Sequence, residues 1–262
     1  MKIKLHTCLG ETKYSGWEQY ISFWEKMNFI ERIQIPFPGR CVSWLGGIGN
    51  LCIEPSHPHP IEVPFEHCLC NQYRTPLYKD NPNIYPLEMF VRDWNSYEKV
   101  LLKPQPKRII KSLFSGTIRG DQHTRNKWKG STEVWNTSPA RTWTRVNRLY
   151  PTMEDYYDAL RSTVFGLSLG GDGGTKSVCC RDVEILGMGC VPIYDEHVEV
   201  KGLKNYILAK DPDDMNNKIN SMTQEQIADI SESALDYFWD YSSPIGMWYS
   251  IIEKAEELGV KL

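Results

Sequence analysis

The sequence predicts an α/β protein in which parallel strands are covered by helices on both faces, arranged as two lobes. Three observations carry this. Short apolar runs with strand character alternate with helical segments of about ten residues, loops of small residues follow those runs, and a Pro-x-Pro spacing near Leu102–Pro106 coincides with an abrupt rise in basic charge. The boundary this implies puts an N-terminal lobe at 1–105 and a C-terminal lobe at 106–262, with the last helices able to pack back on the first lobe.

Taken in order, Lys2 to Leu5 alternates polar and apolar as a strand does, and Gly10 to Gly16 supplies a loop. Trp17, Tyr20, Ile21 and Trp24 then recur at helical spacing, so a helix is expected over Trp17–Met27. Ile33–Ile35 reads as a second strand. The stretch Pro36–Pro86 is broken by Gly46-Gly47, Pro55-Ser-His-Pro-His-Pro60 and isolated prolines, and no element is assigned to it. Lys107–Phe114 is an apolar strand ending at Ser115-Gly116. A helix is expected to open with Thr152 as cap and Asp155 three residues on, and to run to Arg161. Val164–Leu169 is the next strand, followed by Gly170-Gly-Asp-Gly-Gly174, a helix over Ser177–Gly187 and a strand over Cys190–Tyr194. Two helices, Thr223–Tyr241 and Pro244–Leu258, complete the chain.

Composition excludes several classes. The 262 residues are 41% hydrophobic and 24% charged, an ordinary globular balance that rules out disordered, collagen-like and coiled-coil chains. No apolar run reaches the roughly 20 residues a bilayer needs, and the start lacks a signal-peptide core, so a cytoplasmic protein is expected. The net charge of −3 hides a strong asymmetry: Lys103–Arg148 holds eleven basic residues against Asp121 and Glu133, whereas Asp211 onward holds eleven acids against three lysines. The basic segment suits a phosphate-bearing ligand, a polyanion or a solvated face. The eight cysteines are expected reduced. Cys68 and Cys70, with His57, His59 or His67, make a weak zinc pattern, and buried small apolar residues are the preferred reading.

Chemistry concentrates where parallel strands end, because loops and helix N-termini converge there. Ser115, Gly116, Arg119 and Arg125 follow one such strand, and guanidinium groups recognise phosphates in a bidentate manner. Leu169 and Gly170 end another, and a glycine-rich loop runs from there to Ser177 and a helix carrying Arg181 and Glu184 at i and i+3. Cations for a diphosphate beside a carboxylate for ribose hydroxyls describe a nucleotide site. The loops match neither GxGxxG nor GxxxxGK[ST], which argues against nicotinamide and P-loop chemistry.

Phe114-Ser-Gly116, the basic residues ending at Arg125, the run from Tyr157 to Gly170, Ser177-x-x-x-Arg181-x-x-Glu184 and Gly187-Met-Gly-Cys-Val-Pro-Ile193 together resemble the nucleotide-binding half of exostosin-like glycosyltransferases. The likeness covers about a third of the chain, Lys107 to Asp195. It implies a GT-B fold of two facing Rossmann-like lobes, the donor held mainly by the C-terminal one. Arg119 and Arg125 would face the diphosphate, Ser177 and Arg181 would assist, Glu184 would hold the ribose, and Leu169-Gly170 would lie beside the base. The usual members are longer Golgi membrane proteins, so the N-terminal lobe here reads as reduced. Its compactness is similar to chlorella-virus glycosyltransferases, which would act in the host cytoplasm.

The implied reaction inverts the anomeric carbon of a nucleoside-diphosphate sugar, UDP-linked and carrying xylose or another neutral sugar, as a hydroxyl of an oligosaccharide or glycoprotein acceptor attacks. Arginines are expected to stabilise the leaving diphosphate in place of a metal, and no cofactor is expected. General-base candidates are Glu11, His57 or His59, and Asp93. Trp17, Trp44 and Trp94 either stack on an acceptor or form core. Two rival readings are an RNA- or polyanion-binding module using Trp128, Trp135 and Trp143 as platforms, disfavoured by the net charge, and a non-catalytic sugar-nucleotide binder.

Overall fold

A computed structural model of the chain describes residues 2–8, 15–35, 42–54, 63, 65–71, 78, 80–117, 124–138, 149–170, 178–195 and 203–262. It is an α/β structure with two sheets rich in parallel pairs. The chain divides into two compact units, Met1–Trp94 with Trp239–Leu262, and Asn95–Phe238.

The first unit contains β1 (Ile3–Cys8), α1 (Ser15–Lys26), β2 (Ile30–Ile35), β3 (Ser43–Leu45), β4 (Gly49–Glu54), β5 (Phe65–Cys70), β6 (Ile84–Pro86) and the C-terminal helix α7 (Pro244–Glu257). Its sheet has the order β2-β1-β3-β4-β5-β6. β3 runs antiparallel to β1 and β4, and the other pairs are parallel. The sheet is therefore mixed, where an all-parallel one was expected. The cause is the short link from β3 to β4, which permits only a hairpin. Gly46 turns it with φ of 72°, and a Cβ there would stand 2.5 Å from Val260 Cγ1. The sheet of this unit has six strands. Four of them lie in Pro36–Pro86, where burial runs through consecutive residues (Ser43–Leu45, Leu51–Glu54, Cys68–Cys70) and leaves no alternation to read.

α1 buries Trp17, Tyr20, Ile21 and Trp24 completely, as its helical spacing predicts. Tyr20 Oη donates to Ser242 O at 2.7 Å and Trp24 Nε1 to Pro244 O at 2.6 Å, so the polar ends of both rings are satisfied where α1 meets the segment entering α7. Trp44 is also fully buried, and Trp94 packs edge-on against Tyr20 and Phe23. All three tryptophans considered for acceptor stacking, Trp17, Trp44 and Trp94, are core.

The second unit contains most of α2 (Trp94–Leu101), then β7 (Ile110–Thr117), a 3₁₀ turn (Thr124–Trp128), β8 (Val134–Ser138), α3 (Met153–Arg161), β9 (Thr163–Ser168), α4 (Cys180–Gly187), β10 (Val191–Tyr194), β11 (Ile207–Leu208), α5 (Pro212–Ser221) and α6 (Gln224–Tyr237). Its sheet is parallel throughout, in the order β11-β10-β9-β7-β8. Phe114, Phe165, Leu167, Val191 and Ile193 form its core with Trp128.

The expected break near Leu102–Pro106 falls inside this unit. α2 belongs to it because Tyr97 Oη donates to Glu184 O at 3.0 Å and the Arg161 guanidinium donates to Val100 O. Thr152 and Asp155 cap α3 reciprocally, as the sequence predicts. The helix expected over Thr223–Tyr241 ends at Tyr237. A π-type turn, Phe238–Ser242, follows, and Ser243 accepts from Gly246 N–H at 3.0 Å to start α7 with Pro244 in its first turn.

Candidate functional site

In sheet order, the chain leaves β7 toward β8 on one side and returns to the other side for β9, so the topological switch point of the second unit lies between β7 and β9. The carboxyl ends of those strands are Ser115–Thr117 and Ser168. Several of the residues expected in a donor site meet here.

Arg181, in the first turn of α4, reaches across to β7. Its Nε–H donates to Ser115 O, and its Cζ stands 5.2 Å from the Phe114 ring centroid. Nη1 is buried and has no hydrogen-bond partner among the described residues. A buried donor left unpaired costs about 1–3 kcal/mol, so this nitrogen stands out chemically at the strand ends. Gly116 lies under the same guanidinium. Ser115 contributes its carbonyl, while its hydroxyl accepts from Asn136 Nδ2 at 3.3 Å.

Arg125, expected to face a diphosphate, bonds backbone carbonyls at the end of β9. Its Nε donates to Gly170 O at 3.0 Å and Nη2 to Leu169 O at 2.9 Å. Asp195, at the end of β10, accepts from Gly170 N–H at 3.2 and 3.3 Å through its two oxygens. Leu169 is itself buried in the core. Both polar groups of Gly170 and the carbonyl of Leu169 are thus bonded within the protein, which anchors the start of the glycine-rich segment.

Glu184 is fully buried on α4 and accepts from Tyr157 Oη at 3.0 Å. Two residues earlier Asp182 accepts the Cys179 N–H and so caps α4, which starts three residues later than Ser177. Burial pushes the Asp182 carboxyl above the usual carboxylate range, and the Cys179 amide opposes this. The Ser168 hydroxyl opposes it too, and Ser168, Asp182 and the buried Tyr194 hydroxyl form a second cluster of polar groups at the ends of β9 and β10.

Asp182, Asp195, Asn136 and Tyr157 escape sequence reading. Asp182 had a readable signal, an acid three residues past a helix-capping position, and Asp195 another, an acid ending an apolar strand. Glu11, His57, His59, Arg119 and Ser177 lie outside the described residues. Asp93 immediately precedes α2 and accepts from Gln19 Nε2 at 3.2 Å.

Among the described residues no three His, Cys, Asp or Glu side chains converge as metal ligands. Cys68 and Cys70 are buried on β5, and Cys52 lies in register beside Cys68 and raises its thiol pKa. The sequence does hold one Asp-x-Asp, Asp211-Pro212-Asp213, and it opens α5: Asp211 Oδ1 accepts from Asp214 N–H at 2.8 Å, and Asp214 pairs with Lys218 at 2.8 Å. The basic segment is tied down at several points, Lys103 to Glu154 and Asp158, Lys111 to Asn220 and Lys127 to Lys210 O. Trp128 is buried, Trp135 stacks on Phe114, and Trp143 is outside the described residues. No helix among the described residues is long and apolar enough to cross a membrane.

No protein-family model matches the chain, and no curated protein matches it.

Proposed function

We propose that the second unit binds a nucleoside-diphosphate sugar, UDP-linked, and that the chain is an inverting, metal-independent glycosyltransferase of the exostosin-like, GT-B type acting on a glycan hydroxyl. One observation carries the reading: the buried Nη1 of Arg181, without a hydrogen-bond partner among the described residues, sits at the switch point of an all-parallel sheet, where α/β sheets take their ligands. A fixed guanidinium there neutralises charge as the diphosphate leaves, at no cost in reorganisation during reaction. The RNA-binding alternative draws little from the basic segment, since Trp128 is core and Trp135 is stacked on Phe114.

A thermal-shift panel of UDP, GDP, CMP and their sugars tests the reading. A ligand that binds only the folded chain stabilises it by about 2.7 kcal/mol at a hundredfold excess over Kd, so UDP or a UDP-sugar should raise Tm. Transfer is then assayed with that donor and hydroxyl acceptors. Silence of every nucleotide, with RNA binding that collapses as salt rises, would overturn the proposal.

A further inference from the structure

The contacts around Arg181 fix its direction while leaving Nη1 without a hydrogen-bond partner among the described residues, and this deepens the donor-site reading on which it rests. Nε–H is held by the Ser115 carbonyl. The guanidinium lies over the Phe114 ring, which is stacked on Trp135 at a centroid distance of 4.4 Å and an interplanar angle of 23°. Nη2 occupies the room that a side chain at position 116 would need: a Cβ there would come within 2.6 Å of it and 3.1 Å of Cζ. Alternate residues of β7 therefore shape one cation, Phe114 as a platform and Gly116 as a clearance, and a Cβ at 116 would also stand 2.7 Å from Phe114 Cζ. Neither has a polar side chain, so neither side chain binds an anion itself.

We infer that Phe114 and Gly116 are positioning residues that aim Arg181 Nη1 at a diphosphate, and that they set the preference of this site for a diphosphate over a monophosphate or a bare nucleoside. Lysine lacks the fork that lets one nitrogen bond the Ser115 carbonyl while another remains for the ligand. Orientation is what the pair supplies, since the charge of Arg181 survives any change at either position.

The test is calorimetry of the full chain and its Gly116→Ala, Phe114→Leu and Arg181→Lys variants with UDP, UMP and uridine, each variant first checked for cooperative unfolding. The wild type should bind UDP about tenfold or more tighter than uridine, the scale of one charge-assisted hydrogen bond. Both positioning variants should lose about fivefold or more of UDP affinity while uridine affinity stays within about twofold, and Arg181→Lys should behave alike. Phe114→Leu keeps the test decisive should Gly116→Ala fail to fold. Unchanged UDP affinity in the positioning variants overturns the inference alone, as does an equal loss for UDP and uridine, which marks a merely structural role. A wild type that binds none of the three overturns the donor-site reading and the inference with it.

Discussion

The Tyr157 hydroxyl donates a hydrogen bond to Glu184 Oε1 at 3.0 Å, joining α3 to α4 inside the core, and neither side chain is exposed. Tyr97 completes the junction: its ring meets Tyr157 edge-on at 4.8 Å and its hydroxyl bonds the Glu184 carbonyl. Removing a donor from a buried carboxylate costs about 1–3 kcal/mol, so Tyr157→Phe should lower unfolding stability by that amount in urea titrations, and an unchanged midpoint would deny the bond any weight. Glu184→Gln separates packing from ligand binding. A ribose-holding carboxylate predicts weaker donor binding with stability kept; a purely internal one predicts the reverse.

Gly170 is gripped from both sides by Arg125 and Asp195, and this changes what loss of Arg125 should do. A phosphate-binding arginine is dispensable to the unliganded fold. Arg125→Ala should instead destabilise the unliganded protein by about 1.5–3 kcal/mol, the range for hydrogen bonds to charged groups, and Asp195→Ala should do likewise. Urea unfolding without nucleotide measures both. Equal stability of Arg125→Ala and wild type would return Arg125 to the diphosphate.

The legible part of the fold is the part with strong local signals. α1 shows its core face through four aromatic and aliphatic residues at helical spacing, α3 its start through Thr152 and Asp155, and β9 and β10 their identity as apolar runs before glycine or acid. β3 to β6 were hidden because short strands buried through consecutive residues have no period. β8 ends in Trp-Asn-Thr-Ser, polar enough to pass for a loop, and it is fixed by pairing with β7 rather than by its own preference. At the site, residue types were legible and partners were not: the sequence marks Arg125 and Arg181 as equivalent cations, yet Arg125 bonds two backbone carbonyls whereas Arg181 Nη1 has no hydrogen-bond partner among the described residues. Only the approach of β7, β9 and α4 in space separates them.

Buried thiols give a third prediction. Desolvation pushes Cys190 up to about 12, and its Sγ–H donates to Leu160 O at 3.1 Å. Burial also raises Cys8 and Cys179, and contact with Cys52 together with burial raises Cys68. Thiolates are the reactive form, so iodoacetamide at pH 7.5 should label these four far more slowly in the native protein than in urea, with peptide mapping as the readout. Rapid native labelling of Cys179, which is partly exposed, would show that the end of α4 is open.

Asp182 ties stability to pH. Its folded pKa is raised above the ordinary 3.8 chiefly by burial, so the folded state holds its proton more tightly than the unfolded chain does. The linked stability is therefore fully present below pH 3.8 and is lost as pH rises through the raised folded value. Asp182→Asn removes this titration, while its amide oxygen still accepts the Cys179 N–H that caps α4. Stability measured by urea unfolding from acid to neutral pH should consequently fall less steeply in Asp182→Asn than in the wild type over that window. At neutral pH, where the wild type carries a desolvated charge, the variant should be at least as stable. A variant about 2 kcal/mol less stable than wild type at neutral pH, with the same slope, would mean that the ionised carboxylate stabilises the α4 terminus more than its burial costs.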